Sequence, residues 1–72
     1  MITEEDIRRK ASALKTILEQ MDIPEMRRDT SSEFHLRWIS RNVRIRNSDH
    51  PMYETAREMI KTLLKWHARK GG

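Results

Sequence analysis

Residues 31–45 read SSEFHLRWISRNVRI, and the way this stretch is wound decides the fold. At ~100° per residue, Ile39 and Val43 fall beside Leu36, while Phe34, Trp38 and Ile45 fall on nearly the opposite side. One long helix with two apolar flanks is therefore expected, buried along both. Arg37, Arg41 and Arg44, spaced i, i+4 and i+7, then form its main solvent-facing ridge. The alternative winding stops the helix near Arg41 and lets Val43 and Ile45 alternate in an extended turn segment. Thr30 followed three residues later by Glu33 has the form of a capping box, so the helix should begin near Ser31.

Upstream, residues 22–30 (DIPEMRRDT) carry no long periodic pattern. Pro24 restricts the residue before it and has no amide hydrogen, so a helix should end just ahead of it. That helix is marked by Ile7, Ala11, Leu14, Leu18 and Met21 at helical spacing. Thr3 is its expected N-cap, with Glu4, Glu5 and Asp6 at the positive end of the helix dipole. Downstream, Asn47-Ser48-Asp49-His50-Pro51 joins turn formers to a proline suited to a helix's first turn, with Asp49 as the expected cap. Met52, Ala56, Met59, Ile60, Leu63 and Trp66 then mark one broad face, widened by Tyr53 and Leu64. Lys70-Gly71-Gly72 reads as a stop and a loose tail. The predicted architecture is an all-α, small three-helix domain with helices near 3–21, 31–45 and 50–68. Its middle helix packs against both others. Residues 1–70 form the single domain and 71–72 a flexible C-terminal tail.

Composition restricts the chemistry. The chain has 72 residues and no cysteine, which removes disulfides, thiolate metal sites and thiol nucleophiles. His35, His50 and His67 lack any metal-ligand spacing, so no metal or other cofactor is expected. Ser31 and Ser32 read as capping residues without a strand-to-helix elbow, and no glycine-rich phosphate loop is present. So short a chain has little volume for a water-excluding pocket; no enzyme and no small-molecule substrate are expected. No stretch approaches the roughly 18 apolar residues of a membrane span, and MITEEDIRRK lacks the pattern of a secretory signal. A cytoplasmic protein without membrane contact is expected.

Charge supplies the functional hypotheses. The net charge is +4 and the pI near 10, which favours polyanions or acidic protein surfaces as partners. Residues 27–46 hold six arginines and no lysine, against Asp29 and Glu33 alone. Arginine suits bidentate contact with phosphate and stacking on aromatic planes. The first hypothesis is a small nucleic-acid-binding accessory or regulatory protein, with Arg37, Arg41 and Arg44 on phosphates and Arg27, Arg28 and Arg46 at the edges. Its bland counterpart is a solvated face whose arginines pair with Glu25, Asp29, Glu33 or acids of the first helix. No turn glycine lies between the second and third helices, which argues against a helix-turn-helix reading of the major groove. The second hypothesis is a protein-interaction module or homodimer that docks through Phe34, Trp38 and Ile45. It holds if the middle helix leaves that flank uncovered.

Overall fold

The computed structural model describes residues 3–71, which form three α-helices: α1 (Glu4–Gln20), α2 (Glu33–Arg46) and α3 (Tyr53–Gly71). A single 3₁₀ turn, Glu25–Arg27, lies in the first connection. The radius of gyration is 11.5 Å, close to the roughly 11 Å of a compact chain this long. α3 continues through Gly71, past the end expected near 68 and into the expected tail, of which residue 72 lies outside the described residues.

α1 starts as its sequence predicts. The Thr3 hydroxyl accepts from the Asp6 amide at 3.2 Å, and the Asp6 carboxylate accepts from the Thr3 amide at 3.2 Å, which satisfies two otherwise orphaned donors. The end of α1 is built by more than Pro24. Asp22 sits in the left-handed region at φ 60°. The Asp22 amide donates to the Glu19 carbonyl at 3.2 Å, and the Ile23 amide to the Leu18 carbonyl at 3.1 Å. This is a Schellman closure, with aspartate where glycine is usual. Leu18 and Ile23, its flanking apolar pair, are both buried in the core.

The connection is stitched down. The Thr30 hydroxyl donates to the Ala11 carbonyl of α1 at 3.3 Å, and the Thr30 side chain is buried. Thr30 therefore does not cap α2. Ser32 occupies the N-cap position without a side-chain hydrogen bond, and its carbonyl accepts from the Leu36 amide at 2.9 Å. The expected Thr30–Glu33 capping box is replaced because burial against α1 gives the Thr30 hydroxyl a partner there. At the far end of α2 the Asn47 side-chain amide donates to the Met21 carbonyl at 3.3 Å, tying the close of α2 to the close of α1. His50, rather than Asp49, serves the start of α3: its Nδ1 accepts from the Met52 amide at 3.0 Å. Regular helix begins only at Tyr53, two residues beyond Pro51.

α2 runs unbroken to Arg46, so the long winding is the one adopted. Its burial differs from expectation. Leu36, Ile39 and Val43 are fully buried, but Phe34 is 72% and Ile45 68% exposed. The helix that packs against both others is α3, not the middle helix. α3 brings seven apolar side chains to the core, Tyr53, Ala56, Met59, Ile60, Leu63, Leu64 and Trp66, and α2 brings four, Leu36, Trp38, Ile39 and Val43. The larger apolar supply of α3 lets it cover both neighbours. The second flank of α2 is covered only at Trp38, and Phe34 and Ile45 on it face solvent.

Candidate nucleic-acid interface on the outer face of α2

The exposed side of α2 follows from its buried side. Opposite Leu36, Ile39 and Val43, a wheel at ~100° per residue places Phe34, Trp38, Arg41 and Ile45 within ~60°, with Arg37 and Arg44 along one edge. Arg37, Arg41 and Arg44 are all exposed, and at 1.5 Å per residue they span about 10 Å of helix. The two features that the sequence offers as rivals, an arginine ridge and an apolar flank, thus occupy one face.

Each arginine is fixed differently. Arg37 pairs with Glu33 at 2.7 Å. Among the described residues, neither Arg41 nor Arg44 makes an ion pair. Arg27 reaches the face from the 3₁₀ turn, with its guanidinium 4.8 Å from the centroid of the Trp38 ring, within cation–π range. Arg28 turns inward and donates from Nε to the Ile23 carbonyl at 2.8 Å, which makes it part of the connection. Arg44 lies ~20° around the helix from Arg37, whereas Arg46, though exposed, lies ~180° from it. The structure therefore gathers Arg27, Arg37, Arg41 and Arg44 with Phe34, Trp38 and Ile45, and leaves Arg28 and Arg46 outside that group.

Phe34, Arg37, Trp38 and Arg41 line an open depression of about 350 Å³. Trp38 is half-buried, packed against the core beneath Arg27. Phe34 stands out beside it, and its ring meets His35 edge-on, 5.5 Å between centroids and 90° between planes. The nearby acids are occupied. Glu33 is held by Arg37. Asp29 accepts from both the hydroxyl and the amide of Ser31, which hold its carboxyl below the ordinary carboxylate range. The His35 Nδ1 lies 3.6 Å from the same carboxylate.

Charge is concentrated in this part of the sequence. The six arginines and two acids of residues 27–46 make up the whole excess of +4, because the remaining nine basic and nine acidic residues cancel. Several of those pair along their own helices, as Glu4 with Arg8, Glu5 with Arg9 and Glu54 with Arg57.

Periodicity finds the α2 members of this surface, since spacing alone puts 34, 37, 38, 41, 44 and 45 together. It has no means of finding Arg27 on Trp38, because that contact joins a turn to a helix across a connection without period. Among the described residues, no group of three or more His, Asp or Glu side chains is placed to hold a metal, and no helix is long and apolar enough to cross a membrane. Comparison with protein-family models, with curated proteins and with solved structures gives no match.

Proposed function

We propose that the protein is a small, non-catalytic nucleic-acid-binding protein that holds backbone phosphates with Arg37, Arg41 and Arg44. The observation that carries this reading is the gathering of Arg27, Arg37, Arg41 and Arg44 around one exposed helix face, within the stretch that holds the chain's whole excess of positive charge. Guanidinium groups grip phosphate through paired donors and hold their charge at any physiological pH. The Arg37–Glu33 pair does not oppose the role. Both side chains are exposed, and such i, i+4 pairs contribute only about 0.3–0.5 kcal/mol, easily exchanged for a phosphate contact.

The test is electrophoretic mobility shift and binding titration with the triple variant Arg37→Gln/Arg41→Gln/Arg44→Gln. Its far-UV circular dichroism and melting should match the parent. Its affinity for an oligonucleotide at low salt should be lost, and any residual binding should show a salt slope reduced by about 2–3. Full binding by the variant, or none by the parent at low salt, overturns the proposal.

The exposure of Phe34 (72%) and Ile45 (68%) supports a second reading, a protein-docking face. Arginine and aromatic residues are also enriched at protein interfaces. A homodimer through this face is disfavoured, since a two-fold axis would set one arginine cluster against its copy. An acidic, partly apolar partner fits better. Sedimentation as a dimer that Phe34→Ser/Ile45→Ser splits would favour the homodimer.

A further inference from the structure

We infer that the nucleic acid taken by this face is single-stranded, with one unstacked base seated in the depression between Phe34 and Trp38. The inference rests on the nucleic-acid reading above and names its substrate class. Phe34 and Arg41 lie ~20° apart around the helix and about 10 Å apart along it, and both line the same depression, so a strand held at Arg41 runs past the Phe34 ring. On a duplex, the groups nearest that ring would be more phosphates and sugars. An apolar ring pressed there strips water from charge and returns no hydrogen bond. On a single strand the bases are free to swing toward the protein, and the same ring gains a stacking partner while the arginines keep the phosphates.

The depression has the form this requires. Two aromatic side chains one helical turn apart, Phe34 and Trp38, form its apolar wall, and Arg37 and Arg41, also one turn apart, form its charged one. The indole already carries the Arg27 guanidinium at 4.8 Å and packs against the core, which makes it a fixed backstop. Phe34, 72% exposed and oriented by its edge contact with His35, is the ring that offers an open surface. No carboxylate lines the depression, and no array of side-chain amides is present to read base edges. Binding is therefore sequence-tolerant, set by stacking and charge.

The experiment is fluorescence anisotropy with the full chain, a labelled oligothymidine and a mixed-sequence duplex of equal length, at matched low salt. The single strand is expected to bind more tightly. Phe34→Leu, which keeps an apolar side chain at an exposed position but removes the π-face, should weaken single-strand binding about tenfold or more. It should leave the salt slope and the duplex affinity unchanged, with circular dichroism confirming an intact fold. Equal affinity for both forms, with Phe34→Leu silent and the triple arginine variant defective on both, overturns the single-strand inference and leaves the nucleic-acid reading standing. Failure of both probes to bind the parent, with binding of a helical Glu/Leu peptide instead, overturns both and assigns the face to an acidic protein.

Discussion

Asp22 shows how one residue can close a helix at some cost. Its φ of 60° belongs to the left-handed region, where an L-residue's Cβ crowds the following carbonyl. Aspartate is tolerated there better than most residues, but glycine has no Cβ to crowd. The hydrogen bonds that the turn makes, Asp22 to Glu19 and Ile23 to Leu18, use the backbone alone and survive a change of side chain. The Asp22 side chain is exposed and makes no ion pair among the described residues. Asp22→Gly should therefore stabilise the fold by about 0.5–1 kcal/mol, the left-handed relief exceeding the extra entropy of the unfolded glycine. The urea midpoint measures this. A fall in midpoint would mean that the Asp22 carboxylate contributes something that this geometry lacks.

At the scale of elements, the starts of the helices are where acidity enters. Backbone and side-chain hydrogen bonds with Thr3 hold the Asp6 carboxyl below its ordinary range, and hydrogen bonds from the Ser31 hydroxyl and amide do the same for Asp29. A depressed carboxyl contributes stability above its unfolded pKa, near 3.9, and loses it as pH falls through its folded value. Asp6→Ala/Asp29→Ala should thus be less stable than the parent at neutral pH, and the gap should close below about pH 4. A gap of equal size at pH 6 and pH 2, read from urea midpoints, would refute the linkage. The Thr3 cap and the three helices were legible because each depends on residues close in sequence. The start of α2 was not, because Thr30 spends its hydroxyl on Ala11, nineteen positions back. Nor was the single-sided burial of α2. The pattern at Phe34, Trp38 and Ile45 says that a flank is apolar, but only the packing of α2 on α3 decides which flank is covered. The arginine ridge was read from spacing, whereas the Arg27–Trp38 contact has no counterpart in any local pattern.

The molecule as a whole depends on its third helix. Ile7, Leu14, Ile17 and Leu18 of α1 and Leu36, Ile39 and Val43 of α2 join Ala56, Ile60 and Leu63 of α3 in one buried cluster, and α1 and α2 each pack chiefly on α3. Polar links also tie α1 and α2 through their flanking residues, the Thr30 hydroxyl on the Ala11 carbonyl and the Asn47 side-chain amide on the Met21 carbonyl. Helices of 17 and 14 residues are marginal in water without an apolar partner. A chain this small also has few kcal/mol to lose. Removing α3 should consequently unfold the rest. A chain ended after residue 51 should show weak helical dichroism and no cooperative melting, while a peptide of residues 52–72 added in trans should restore both. Leu63→Ala in the full chain should cost about 2–5 kcal/mol, the range for a fully buried leucine. Val43→Ala, which removes a smaller side chain, should cost less. A cooperative, helical 1–51 fragment would mean that α1 and α2 hold each other without α3.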